Sequence, residues 1–219
     1  MNKKAFIFDL DGVIVDTAKY HFLAWQKIAD SLGIEFTPEH NERLKGVSRV
    51  RSLDIILELS HVENAAQVDK DVWLKQKNDD YLSYIENMDH TEILPGVMHV
   101  LDYLQKENQP IALGSASKNA RIILEKTGIL SYFDVIVDGN DVTNAKPDPE
   151  VFTRAADALG IAYENAIVFE DSFAGIDAAN IANMTSIGIG DEKILEKAHY
   201  IFPDFVSIDM SFIDTLIRK

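Results

Sequence analysis

A run of apolar residues, Ala5-Phe6-Ile7-Phe8, stops abruptly at Asp9-Leu10-Asp11-Gly12. A short, uninterrupted apolar stretch ending in an acidic, glycine-bearing loop predicts a strand buried on both faces that feeds a functional turn. From Thr17 the period changes: Ala18, Phe22, Trp25, Ala29 and Leu32 recur at helical spacing, and Gly33 follows as a stop. Further helices are predicted over residues 38–45, 49–59 and about 67–85. No strand is predicted between Gly12 and Leu94. Pro95-Gly96 opens a different rhythm. Helices over 97–106, 119–126, 150–159 and 174–182 alternate with apolar strands over 111–113, 135–137, 166–169 and 186–189. Such alternation predicts an α/β fold with a doubly wound, Rossmann-like parallel sheet covered by helices on both faces. The expected division is a core of residues 1–14 and 93–219, interrupted by an all-helical insertion of residues 15–92.

Composition narrows the class of partner. The 219 residues carry 21 basic and 36 acidic side chains, a formal charge of −15, and no cysteine. Nucleic acid and anionic membranes are bound mainly through excess Lys and Arg, so neither is expected as a partner. Without cysteine there is no disulfide, thiolate catalysis or cysteine-ligated zinc. The apolar run after Lys3 and Lys4 is too short for a signal peptide or a membrane span, so a cytoplasmic protein, acting as a monomer, is the expectation.

Ligands of an open parallel sheet bind at the carboxyl ends of its strands. Those ends hold Asp9 and Asp11, then Ser115, with Lys146 in a loop, and Glu170-Asp171. Four carboxylates gathered around one lysine and one hydroxyl require a counter-ion. One Mg²⁺ fits, because it takes oxygen ligands and bridges to phosphate. Together with Lys146 it would attract a phosphoryl dianion, whose oxygens Ser115 and nearby amides would bond. One of the two aspartates would then attack phosphorus, while the other acts as general acid and base. A lone Asp-x-Asp is usually a solvated turn; its position after a buried strand, with matching groups at later strand ends, is what gives it weight.

These residues also form a recognisable set. Phe6 to Val13 followed by Asp16-Thr17, then Ser115, then Lys146-Pro147-Asp148-Pro149, and finally Glu170-Asp171-Ser172 with Ala174-Gly175 resemble, in order, the four motifs of the haloacid dehalogenase superfamily of phosphotransferases. The resemblance implies that Asp9 is the nucleophile and Asp11 the acid/base. It implies Mg²⁺ on Asp9, the Asp11 carbonyl, Glu170 and Asp171, and identifies the helical insertion as a small cap domain. Further segments (His21-Phe22-x-Ala24-Trp25, Leu44 to Arg49, Lys77-Asn78-Asp79, and Ser115 to Asn119) resemble the sugar-phosphate mutases of that superfamily. Those enzymes interconvert β-D-glucose 1-phosphate and glucose 6-phosphate through β-glucose 1,6-bisphosphate. A Mg²⁺-dependent phosphatase or mutase of another small sugar phosphate, or a phosphosugar-binding protein without turnover, are the alternatives. The resemblance implies substrate contacts from Thr17, His21, Trp25, Gly46, Val47, Ser48, Arg49, Ser52, Lys77, Ser115, Ala116, Ser117, Lys118 and Asn119. Two departures, Gly114 before Ser115 and Pro149 in the third motif, would alter loop stiffness and remove no functional group.

A substrate with two phosphates needs an anchor far from Asp9. Residues 40–51 carry Arg43, Lys45, Arg49 and Arg51 against Glu42 alone, and Arg49 is the expected distal anchor because a guanidinium grips phosphate through two bonds. The other three are expected on the solvated surface, as is the Asp79-Asp80 pair. His21 is expected to meet Asp11 and Lys77 as the cap closes. Phe22 and Trp25 are expected to pack the cap, Ser48 to cap the following helix, Gly46 to permit a hinge or close approach, and Gly175 to allow tight packing behind Glu170-Asp171.

Overall fold

The computed structural model describes residues 3–59 and 69–218. Six parallel strands form one sheet in the order β3-β2-β1-β4-β5-β6: β1 (Ala5–Phe8), β2 (Ile111–Gly114), β3 (Val135–Val137), β4 (Ala166–Glu170), β5 (Thr185–Ile189) and β6 (Tyr200–Phe202). β1 is central, with Phe8 opposite Leu113 on one side and Phe169 on the other. All four of its residues are inaccessible to solvent. Phe6 and Phe8 enter the core on one face of the sheet, where Phe8 stacks on Phe169 at 4.6 Å between centroids. Ala5 and Ile7 enter the core on the other. The helices follow the same partition. Apolar residues of α5 (Val97–Lys106), α6 (Ala120–Thr127) and α9 (Met210–Arg218) cover the first face. Those of α7 (Glu150–Leu159) and α8 (Phe173–Ile181) cover the second. The doubly wound sheet is as the alternation predicts.

Between β1 and β2 come α1 (Ala18–Ser31), α2 (Pro38–Glu42), α3 (Arg49–Leu59) and α4 (Lys70–Tyr84). They bury a cluster of their own around Trp25, Ile28, Phe36, Leu53 and Ile56. Ala24 and Tyr81 from these helices, with Ile85 just past α4, instead join the core on the Phe8 face of the sheet. Several boundaries depart from expectation. The helix expected over 38–45 ends at Glu42 and continues as turns to Gly46. α4 starts at Lys70, where the Asp69 carboxylate caps it by accepting from the Val72 amide; Gln67 and Val68 lie outside the described residues. β6 and α9 have no counterpart in the periodicity. Gly114 is not a loop residue: it closes β2, where a Cβ would stand 2.8 Å from the Phe152 ring of α7. Pro149 is the residue that starts α7.

Candidate active site

The carboxyl end of the sheet carries Asp9 after β1, Ser115 after β2, Glu170 as the last residue of β4, and Asp171 beyond it. Lys146 reaches into this row from the loop before α7, almost wholly buried, and spans two acids: its Nζ lies 2.5 Å from Asp9 Oδ1 and 2.7 Å from Glu170 Oε1. The Phe152 ring lies 4.6 Å below the ammonium. Burial alone would weaken the charge on Lys146, but Asp9 and Glu170 outweigh it and hold the ammonium protonated. Glu170 is fixed from the other side as well, since its Oε2 accepts from the Ser172 amide at 2.6 Å and the Ser172 hydroxyl at 2.9 Å. Only glycine fits behind it, because a Cβ on Gly175 would fall 1.8 Å from Glu170 Oε1.

Asp11 has different neighbours. It accepts a short hydrogen bond from the Thr17 hydroxyl, and His21 Nε2 stands 3.5 Å from its Oδ1. Burial pushes the Asp11 carboxyl up, but His21 and the Thr17 bond outweigh it and leave it below the usual carboxylate range. His21 is pushed down by burial and by Lys77, whose Nζ lies 2.9 Å from His21 Nδ1. Among the described residues, His21 Nε2 and Tyr81 Oη are the buried polar side-chain atoms with no hydrogen-bond partner. Asp9 contrasts with Asp11: burial pushes its carboxyl well above the usual range, with Lys146 opposing. Two carboxylates one residue apart thus have unlike environments, the condition for dividing nucleophile from acid/base.

The acids outnumber the cations that touch them. Burial and Glu170 push the Asp171 carboxyl up to about 7 although Lys45 lies 3.4 Å away. Such an upward shift marks negative charge left uncompensated, and an all-oxygen donor set suits a hard divalent ion. The residues therefore fit Mg²⁺. Among the described residues no three acidic or histidine side chains surround one point. Asp9 and Glu170 turn oxygens toward Lys146, and the donor expected at Asp11 is its backbone carbonyl. Glu170 differs from the other three expected ligands in having both carboxylate oxygens already engaged.

The helical insertion sits down on this centre. Lys45 reaches Asp171, Gly46 (φ +72°) approaches so closely that a Cβ would lie 2.4 Å from Ser172 Oγ, and Asn119 Nδ2 donates to Asn78 Oδ1 at 3.1 Å. Together they enclose a cavity of about 560 Å³. Asp9, Asp11, Lys146 and Asp171 line its core end, and Ala116, Ser117, Lys118 and Asn119 line its side. His21, Trp25, Gly46, Val47, Ser48, Arg49, Ser52 and Lys77 line it from the insertion. Ser48 also caps α3, accepting from the Arg51 amide at 3.2 Å. Trp25 packs the cap as expected and also faces the cavity.

Three expected site residues, the substrate contacts Thr17 and Ser115 and the metal ligand Glu170, are not on the wall. Thr17 is fully buried behind Asp11, to which its hydroxyl is committed. Ser115 is fully buried too, its Oγ accepting from the Ser117 amide at 3.1 Å, so it shapes the loop that Ser117 to Asn119 present. Glu170 is enclosed behind Lys146. Two residues expected on the surface belong inside: Lys45 faces Asp171, and Asp80 is buried between α4 and α1, where Lys27 and Gln76 bond it. Asp79 alone of its pair is exposed, paired with Lys75. Asn41, Leu44 and Asn144, not foreseen, also line the cavity.

The cap end of the cavity carries charge of the opposite kind. Lys77 is almost wholly buried, with Trp25 and Tyr81 rings at 5.1 and 4.6 Å from its ammonium. Burial and then Arg49 push it down to about 7. Arg49 is half-buried, is itself pushed down by burial, and has no acidic partner among the described residues.

A family model for haloacid dehalogenase-like hydrolases matches residues 3–183. A β-phosphoglucomutase from Bacillus subtilis (strain 168) is 43% identical over 188 residues, covering 85% of this chain and 83% of that protein. A phosphorylated carbohydrates phosphatase from Thermotoga maritima is 30% identical over 202 residues, covering 89% and 91%. Among solved structures, a β-phosphoglucomutase from Clostridium difficile superposes with a TM-score of 0.91 at 41% identity, covering 100% of this chain and 98% of that one.

Proposed function

The chain belongs to the haloacid dehalogenase-like hydrolases, and on that premise we propose that it interconverts β-D-glucose 1-phosphate and D-glucose 6-phosphate, the reaction of a β-phosphoglucomutase. One observation carries this choice over simple phosphate hydrolysis. The cavity has two places for an anion: the Lys146 centre at Asp9, and a second on the cap, where Arg49 and Lys77 face inward and neither is ion-paired with an acid among the described residues. A phosphatase needs the first. A mutase, whose intermediate carries a phosphate at each end, needs both.

The residues divide the work accordingly. Asp9 carries the phosphoryl group as an aspartyl phosphate. The free hydroxyl at C6 of β-glucose 1-phosphate attacks phosphorus while Asp11 takes its proton, and the bond from phosphorus to Asp9 breaks to give β-glucose 1,6-bisphosphate. Turned end for end, the bisphosphate gives its 1-phosphoryl group back to Asp9 as Asp11 returns the proton to the sugar oxygen. Mg²⁺ would be held by Asp9, the Asp11 carbonyl and Asp171, with Glu170, whose oxygens Lys146 and Ser172 engage, behind them, and would supply Lewis-acid stabilisation of the charge on the phosphoryl oxygens. Lys146 pairs with Asp9 Oδ1 and fixes the direction of the carboxylate. Arg49 and Lys77 hold whichever phosphate is not reacting. Residues 15–92 act as a cap over a core of residues 1–14 and 93–219, excluding bulk water from the aspartyl phosphate. One chain encloses the whole cavity, so the reaction needs no second copy, and no described helix is long and apolar enough to cross a membrane.

The test is to incubate the protein with Mg²⁺, β-glucose 1-phosphate and a trace of the 1,6-bisphosphate, following glucose 6-phosphate and free phosphate together. Glucose 6-phosphate forming far faster than free phosphate is the expected result. Fast phosphate release with little isomer would make the protein a phosphatase, and saturable binding without product a phosphosugar-binding protein.

A further inference from the structure

Helix α2 has five residues, and the one it buries is polar: Asn41. Its exposure is 9%. Pro38, Glu39 and Glu42 face solvent around it. The Asn41 backbone is fully employed, its amide donating to Thr37 O at 3.1 Å and its carbonyl accepting from the Leu44 amide at 2.9 Å. The side-chain carboxamide bonds none of the described residues, yet Asn41 lines the cavity beside Leu44, on the wall that also bears Ser52, Arg49 and Lys77. An asparagine that braced the cap would show a partner, since buried polar groups are almost always hydrogen-bonded. Facing the cavity, this one can be satisfied by solvent, and a substrate that fills the cavity has to offer it a replacement partner.

We propose that Asn41 recognises a ring hydroxyl of the sugar and is a specificity-determining residue. The inference rests on the sugar-phosphate mutase reading above. A carboxamide offers both a donor and an acceptor, and so does a hydroxyl, whereas a phosphate dianion only accepts. Arg49 and Lys77 donate only and suit the phosphate. The cap wall therefore separates two tasks, cations for the anion and a neutral amide for the sugar. A site built to bond a hydroxyl discriminates strongly against an analogue that lacks it, because the protein group is then stranded.

The experiment pairs Asn41→Leu, close in volume, with glucose 6-phosphates lacking the hydroxyl at C2, C3 or C4 in turn. On glucose 6-phosphate the variant loses on the order of 30-fold or more in kcat/KM, while its hydrolysis of acetyl phosphate changes by less than about 3-fold. With one deoxy analogue the wild type and the variant converge to within about 3-fold. An equal loss on all substrates, or no loss on any, overturns the proposal. Should Asn41→Leu fail to fold, the wild-type protein gives the answer directly. The ¹H–¹⁵N signal of the Asn41 carboxamide shifts on saturation with glucose 6-phosphate and stays in place with inorganic phosphate. Turnover without that shift overturns the role of Asn41 alone. A shift without turnover overturns the mutase reading and leaves Asn41 as a sugar contact.

Discussion

The two ends of the cavity solve opposite problems. At the core end, Lys146 joins Asp9 and Glu170, Glu170 joins Ser172, and Thr17 joins Asp11, so almost every polar group has a partner within the protein. At the cap end, among the described residues, Arg49 lacks an acidic partner, Lys77 is buried between aromatic rings with His21 as its one hydrogen-bond neighbour, and the Asn41 carboxamide bonds nothing. The first arrangement fixes reacting groups before substrate arrives, which is what electrostatic stabilisation of a transition state requires. The second leaves interactions to be completed by the substrate. Binding energy is thereby spent on closing the cap over a sugar phosphate and not over water.

Substitutions at each end put this contrast at risk. Asp9→Asn keeps the shape and an acceptor for Lys146 but removes the nucleophile. Mutase activity falls by on the order of 1000-fold or more, with an unchanged circular dichroism spectrum; substantial residual turnover would remove Asp9 from that role. Lys146→Met strands two buried carboxylates and lowers the unfolding free energy in urea by about 3–5 kcal/mol. Arg49→Ala reduces kcat/KM for β-glucose 1-phosphate by about 100-fold, about 2.7 kcal/mol, and leaves hydrolysis of a small aryl phosphate nearly unchanged. Equal losses on both substrates would remove Arg49 from the distal anchor.

Lys77→Met has the opposite sign to Lys146→Met. Burial lowers Lys77 from 10.5 to about 7, so between those values the unfolded chain binds the extra proton and wild-type stability rises with pH. Below pH 7 the buried charge is a full cost. The variant gains on the order of 2 kcal/mol at pH 6–7 and loses the rise toward pH 10, while its mutase activity drops. A destabilised variant would show that Lys77 is satisfied by His21 and its ring contacts and is not held in reserve. The smallest effect is expected at the seam: Asn78→Ala removes the bond to Asn119, costs about 1 kcal/mol, and shows as a modest rise in phosphate leakage relative to isomer.

The same contrast explains what the sequence makes legible. Strand-end residues such as Asp9, Asp11, Glu170 and Asp171 announce themselves because a buried apolar run that stops at an acid marks the end of its strand in the local sequence. β6 escapes notice because three half-buried edge residues, Tyr200 to Phe202, carry too little periodicity to signal a strand. Lys45 reads as one more basic residue on a charged segment, since nothing local reveals that the turn ending at Gly46 lands on Ser172 and Asp171. Asp79 and Asp80 look alike in sequence, but neighbours on a helix point about 100° apart, and one faces α1 while the other faces water. Thr17 and Ser115 sit where the motifs put them along the chain, but each hydroxyl is committed to a neighbour and neither residue lines the cavity.

The central place of β1 has a kinetic consequence. Its partners are β2 and β4, with Ala5 opposite Ala166, and Lys146 reaches Asp9 across 137 positions of chain. Contacts of such sequence separation close large loops and form late, after local helices and the self-contained cluster of the cap helices. A nascent or partly folded chain therefore displays the Asp9 carboxylate as an ordinary solvated acid, without Lys146, Glu170 or Asp171 beside it. Phosphoryl chemistry switches on only when β4 and the loop bearing Lys146 have docked against β1, so a chain that stops short of β4 has no assembled site.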